Sequence, residues 1–221
     1  VVNSFGATVN DLLLTAIGRS YQRSTGSDSV SFMLEGHGRE EMGSPLVTDR
    51  TVGWFTSMFP VVLRQLGADL RHDLRHTKEA LHRSPNKGVG YNILRYLGAD
   101  SLYDRNQSPL ILFNYLGDFD DVKDEQAFFY LATDVHAGVD VAPENSCGSD
   151  LTINCEVNGG SFNLHLDYNM ALLTDEKAKQ FADGILTEIC EQTTYLAQHT
   201  DEEITATDLG EDVWSDEEFE T

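Results

Sequence analysis

The chain has 221 residues, enough for one sizeable core or two small ones, and its apolar and charged fractions are those of an ordinary globular protein. Its formal net charge of −22 argues against nucleic acid and anionic membrane surfaces as partners. No apolar run approaches the roughly 20 residues of a membrane-spanning helix, and the start, without a charged n-region or an initiator Met, reads as a piece of a longer protein rather than a signal peptide.

Taken in chain order, Asn10 to Arg23 predicts a helix, because Leu13, Leu14, Ile17 and Tyr21 recur at helical spacing and Gly26 follows its end. Val30 to Leu34 is a short strand-like run that feeds the polar, Gly-rich stretch Glu35-Gly-His-Gly-Arg-Glu40. A turn-rich segment through Pro45 leads to Arg50-Thr-Val-Gly-Trp-Phe-Thr56. Met58 to Leu63 predicts a strand, with Pro60 favouring an edge or a bulge. Asp69 to Arg83 is an amphipathic helix, Pro85-Asn-Lys-Gly88 breaks it, and Tyr91 to Leu97 predicts a second short one. Leu110 to Phe113 predicts a buried strand ending at Asn114-Tyr-Leu-Gly117. Leu151, Ile153, Cys155 and Val157 alternate, as do Phe162, Leu164, Leu166 and Tyr168, and Asn158-Gly-Gly160 between them predicts an antiparallel hairpin. Thr174 caps a long helix striped by Ala178, Phe181, Ile185 and Ile189. Beyond Thr200 the chain turns acidic, as in a linker or loosely docked tail, so the expected division is a domain over 1–200 and a tail over 201–221.

Charge and chemistry-bearing residues are unevenly spread. From Arg64 to Arg95 seven basic residues face three acidic ones, a +4 segment inside a −22 chain, which reads as a solvated helix face or as a dock for an acidic or phosphate-bearing partner. Cys147, Cys155 and Cys190 are an odd number with no Cys-x-x-Cys pair, so buried free thiols and a reducing cytoplasm are expected. His72 and His76 lie four apart on the basic helix, but with no Glu beside the first His they read as surface histidines, not a zinc site. The lone Gly88-Val-Gly90 lacks the strand-turn-helix setting of a dinucleotide site.

Each motif is weak alone, but five appear in a fixed order: Asn10-Asp-Leu-Leu-Leu14, Glu35-Gly-His-Gly-Arg-Glu40, Arg50-Thr-Val-Gly-Trp-Phe-Thr56, Pro85-Asn-Lys-Gly-Val-Gly-Tyr91 and Phe113-Asn-Tyr-Leu-Gly117. Together they resemble the successive signatures of the later half of nonribosomal peptide synthetase epimerization domains, members of the condensation-domain superfamily. Ile204-Thr-Ala-Thr-Asp208 resembles the exit from such a domain. Asn92 departs from the pattern, since the family commonly has Gly after the Gly-Tyr pair, and an altered loop is expected there. The resemblance implies an α/β fold, a chloramphenicol-acetyltransferase-like α/β sandwich lobe, and implies that this is the second of two lobes around a tunnel. The first lobe carries a His-His-x-x-x-Asp-Gly motif in the family, and no His-His pair occurs in this sequence.

The resemblance further implies inversion of Cα, L to D, in an aminoacyl or peptidyl thioester held on the phosphopantetheine of a carrier protein, with no cofactor bound directly. Glu35 matches the family's glutamate and is expected to be one acid/base group, opposed by the His of the other lobe. Asn114 and Tyr115 are expected to orient substrate or stabilise an enolate, or else to serve structure at a strand end. Trp54, Phe55 and Thr56 are expected in a loop across the tunnel floor. His37 belongs to the motif, and Arg39 is expected either to bridge to the first lobe's Asp or to lie on the surface. Arg71, Arg75, Lys78 and Lys87 are the expected carrier-docking residues. Expected partners are the first lobe, a peptidyl carrier protein and neighbouring synthetase domains. A condensation-domain lobe forming peptide bonds and a non-catalytic carrier-docking lobe are the competing readings.

Overall fold

The computed structural model describes residues 6–40, 48, 50–67, 69–98, 109–119, 148–199 and, in isolation, 138, 142, 144, 145, 205 and 208. The expected turn through Pro45, Cys147 and, apart from Thr205 and Asp208, the expected tail over 201–221 lie outside the described residues. Helix α1 (Val9–Thr25) begins with a reciprocal capping box. Thr8 Oγ1 accepts the Asp11 N–H at 3.3 Å, and the Asp11 carboxylate accepts the Thr8 N–H at 2.6 Å. Gly26 ends it at φ 71°, a left-handed cap that a side chain would strain.

Strands β1 (Ser29–Gly36), β2 (Ser57–Arg64), β3 (Ile111–Asp118), β4 (Leu151–Asn158) and β5 (Ser161–Tyr168) form one sheet in the order β2-β1-β3-β4-β5. The β1–β2 and β4–β5 pairs are antiparallel, while β1–β3 and β3–β4 are parallel. Strand β2 is an edge, which is why Pro60, lacking an N–H, is tolerated in it. Strand β3 continues well past Phe113. Asn114 and Tyr115 therefore lie within the strand and not at its end, and a register shift between Tyr115 and Gly117 marks a bulge.

Period-two alternation sorts the side chains. Phe32, Leu34, Val61, Leu63, Ile111, Phe113, Ile153 and Cys155 share the face that packs on Leu13, Leu14 and Ile17 of α1 and on Phe181 and Ile185 of α4 (Asp175–Gln198). Each such fully buried side chain contributes about 1.5–3 kcal/mol. Helix α2 (Leu70–His82), capped by the Asp69 side chain, adds Leu74 to a satellite cluster with Ala7 and Leu196. A 3-10 turn over Pro85–Gly88 then leads into α3 (Gly90–Leu97), in which Asn92 is an ordinary helical residue rather than part of a rearranged loop. The result is the expected α/β layer, with the helices on one face of a mixed sheet.

A buried ionic knot ties the helices to one another. Arg19 of α1 reaches Asp73 of α2 and Glu188 of α4, the latter at 2.8 Å, and Arg23 adds a second contact to Glu188. Both carboxylates are fully buried, and Asp73 also accepts the Gly67 N–H at 2.7 Å. Among the described residues, no helix is long and apolar enough to cross a membrane.

Candidate active site

The β1–β3 ladder ends at the Leu34–Phe113 pair, although both strands run on. A gap opens where they part, at the C-terminal ends of two parallel neighbours, a position where α/β sheets commonly bind ligands. A cavity of about 630 Å³ occupies it. Its walls include Glu35, Gly36, His37 and Glu40 from the end of β1, Phe113 and Tyr115 from β3, and Phe59 from β2. Thr8 and Asp11 at the start of α1, His82 at the end of α2 and Lys87 complete it.

Glu35 sits where burial pushes its carboxyl above the ordinary value of 4.5. Desolvation, and after it the charges of Asp118 and Cys155, raise the Tyr115 phenol above 10.0, so it remains a proton donor through the neutral range. Cys155, buried behind it, is pushed up to about 12 by desolvation and is an inert core thiol. Because side chains alternate, Tyr115 leaves β3 on the helix-facing side with Phe113. Asn114 leaves on the opposite side, as Glu35 does from β1, and Asn114 is not part of the cavity wall.

His37, Glu40 and Lys87 form a chain at the opening. The Arg39 backbone N–H donates to His37 Nδ1 at 3.0 Å, which leaves Nε2 to carry the proton toward Glu40 Oε1 at 2.9 Å. Glu40 Oε2 holds Lys87 Nζ at 3.1 Å. Lys87 lines the cavity while its side chain is 74% exposed, so it stands at the mouth. Asn86 and Lys87 both adopt left-handed conformations at φ 48° and 49°, a strained turn of the kind that concentrates at functional sites.

Arg39 does a local job. Its guanidinium donates to the carbonyls of Thr48, Thr51 (2.9 Å) and Gly53 (3.5 Å) and lies 4.1 Å over the Phe55 ring. These contacts clamp the 48–55 loop against the end of β1. Gly38 makes this approach possible: at φ 66°, a Cβ there would lie 1.6 Å from the Phe55 carbonyl oxygen. Trp54, Phe55 and Thr56 do not line the cavity, and Trp54 is 90% exposed. The expected docking residues also separate. Lys78 is 1% exposed and bonds Asp208 at 2.5 Å, so its charge belongs to an internal pair and not to a docking face. Arg71 is exposed and Arg75 half-buried, but Arg71 lies about 16 Å along α2 from its cavity-facing end. His72 and His76 stack face to face, with ring centroids 6.0 Å apart.

The family model for the condensation domain matches residues 1–212. This chain belongs to the condensation-domain family. It is 36% identical to surfactin synthase subunit 1 of Bacillus subtilis (strain 168), over 96% of this chain and 6% of that protein. It is 34% identical to gramicidin S synthase 1 of Brevibacillus brevis, over 95% of this chain and 20% of that protein. Among solved structures it is similar to the epimerization domain from the third module of tyrocidine synthetase B, with TM-score 0.78 and 32% identity over 88% of this chain and 44% of that one. The condensation domain from Monacolin K polyketide synthase has TM-score 0.59 at 13% identity, over 89% of this chain and 43% of that one, and shares the fold alone. The chain thus spans less than half of the solved condensation-family chains it matches. The α/β expectation holds in its specific form, since the fold is the chloramphenicol-acetyltransferase-like fold of these domains.

Proposed function

We propose that this chain is the C-terminal lobe of an epimerization domain and supplies one acid/base group for inverting Cα of an aminoacyl or peptidyl thioester. The observation that carries the proposal is a partly desolvated Glu35 in one cavity with Tyr115, at the split between two parallel strands. The 32% identity to an epimerization domain, against 13% to a condensation domain of the same fold, favours inversion over peptide-bond formation.

The chemistry has two halves. A base removes the Cα proton, the electrons pass to the thioester carbonyl as an enolate, and a proton then arrives on the other face. Desolvation makes the Glu35 carboxylate a stronger base than one in water. Tyr115, which keeps its proton, donates toward the developing oxyanion. The opposing acid is expected from the His of the family motif in the other lobe. The substrate arrives as a thioester on a carrier protein's phosphopantetheine, and Lys87 stands where that arm enters.

The test uses the complete synthetase domain with a carrier-bound aminoacyl thioester in deuterated water. Deuterium entry at Cα is expected, falling about 10²–10⁴-fold in Glu35→Gln. Undiminished entry in that variant removes Glu35 from the mechanism. Peptide bonds formed with a second carrier, and no exchange, would instead identify a condensation domain.

A further inference from the structure

The strand register sets a row of polar side chains on the face of the sheet away from the helices. Asn114 of β3 pairs with Asn154 of β4, and Asn154 with His165 of β5. Glu35 takes the next place along the row, one position beyond the Leu34–Phe113 pair at which the β1–β3 ladder ends. Phe113, Ile153 and Cys155 point into the helix-covered core, so Asn114 and Asn154 point the other way, as Glu35 does. Neighbouring strands lie about 4.8 Å apart, which sets the two carboxamides side by side and leads them away from the proposed base.

Asparagine is a poor strand former, and β3 and β4 are interior strands with a partner on each side. Two asparagines directly opposite each other there lower strand stability, and no contact offsets it. Both are half-buried, and among the described residues neither carboxamide has a hydrogen-bond partner. Departures from local preference of this kind gather at functional sites. His165 differs, since its side chain is 61% exposed and Nε2 faces Glu156 Oε1 at 4.0 Å. The asparagine pair is therefore the part of the row that continues the site from Glu35.

Chemistry names the ligand. Two neutral carboxamides offer donors and acceptors but no charge, which suits an amide and not an ammonium. Where a base takes a Cα proton, the nitrogen on that carbon lies within reach of the groups beside the base. In an aminoacyl thioester that nitrogen is an ammonium. In a peptidyl thioester it is an amide N–H, followed by the carbonyl of the preceding residue. We infer that Asn114 and Asn154 form a subsite for the amide upstream of the inverted carbon, so that the domain acts on N-acylated, peptidyl thioesters in preference to free aminoacyl ones. This rests on the epimerization reading for the position of Cα, and it selects between the two substrate classes which that reading admits.

The test gives the complete synthetase domain, in deuterated water, two pantetheine thioesters that differ only in acetylation of the α-nitrogen. The amino acid is whichever of the common twenty exchanges fastest. The parent is expected to exchange the acetylated member with a kcat/KM about tenfold or more above that of the free amine. Asn154→Ala and Asn114→Ala are each expected to remove most of that preference, leaving the free amine within about twofold of the parent. Asn154→Asp sets a negative charge in place of the amide and is expected to turn the preference toward the free amine. Asn163→Ala, at an asparagine paired with Glu156 on the edge strand β5, is expected to match the parent. The milder Asn154→Ser replaces the alanine variant if that one melts markedly lower. A parent that treats the two members alike or prefers the free amine overturns the inference, and so does an Asn154 variant that changes both members equally or neither. If no thioester exchanges, the catalytic proposal falls, and calorimetry with unreactive pantetheine amides of leucine and N-acetyl-leucine decides the subsite. Tighter binding of the acetylated amide, lost in Asn154→Ser, sustains it, and equal binding overturns it.

Discussion

Glu35 is the residue on which chemistry and stability pull in opposite directions. Burial raises its pKa, so the folded protein holds its proton more tightly than the unfolded chain does. The stability this group contributes is fully present below its ordinary value of 4.5 and is lost as pH rises through the raised folded value. At neutral pH the ionised base is thus held at a cost to the fold, and Glu35→Gln is expected to melt no lower than the parent while losing exchange activity. A thermal melt at pH 7 checks this, and a marked drop in Tm would show that Glu35 is a structural carboxylate. The pH profile of Cα exchange should rise through the same raised value, with that limb absent in the variant. The neighbouring Gly38 makes a second residue-scale test. Gly38→Ala must displace the 48–55 loop and break the Arg39 clamp, an expected loss of about 2 kcal/mol by denaturant unfolding. That glycine was legible as part of a motif, but nothing in the motif revealed that Arg39 is spent on loop carbonyls and the Phe55 ring.

At the scale of elements, local rules worked where one periodicity dominated. Helix α1 was legible from its leucines and Gly26, and the β4–β5 hairpin from strict alternation around Asn158-Gly-Gly160, while Pro60 left an edge or a bulge open for β2, of which the sheet takes the edge. Local pattern shortens β3, because Asn114-Tyr-Leu-Gly117 breaks the apolar run, whereas the strand survives there through its pairing with β4 and a bulge. The ionic knot was invisible for a different reason. Arg19 meets partners 54 and 169 residues away, and such pairing leaves no trace in local pattern. It is also the joint that fixes α1 against α2 and α4. Arg19→Met takes the guanidinium from buried Asp73 and leaves buried Glu188 with Arg23 alone, and a loss of about 3–5 kcal/mol is expected in denaturant unfolding. A loss within about 0.5 kcal/mol would mean that the knot is dispensable and that apolar packing alone aligns the helices.

At the scale of the whole molecule, net charge shapes how the chain responds to acid. A chain with 37 acidic residues and 15 basic ones relieves its own repulsion as pH falls. Asp208 differs. Burial alone would raise its pKa, but hydrogen bonds from Lys78 and Thr205 and the Lys78 charge outweigh that and hold it below the ordinary 3.8. A depressed folded value contributes stability that is present above the unfolded pKa and is lost as pH falls through the folded one. The pair fastens Asp208 to α2, one turn from the cavity-lining His82, so the tie should act on the site as well as on the fold. Asp208→Asn leaves the Lys78 ammonium buried opposite a neutral amide and is expected to cost about 3 kcal/mol at pH 7. The cost should shrink toward pH 3, where the parent's own Asp208 begins to take up its proton. Urea melts of parent and variant across that range decide the matter. If the difference between them does not change with pH, the pair is held by shape and hydrogen bonding, and its charge is not what fastens Asp208 to α2.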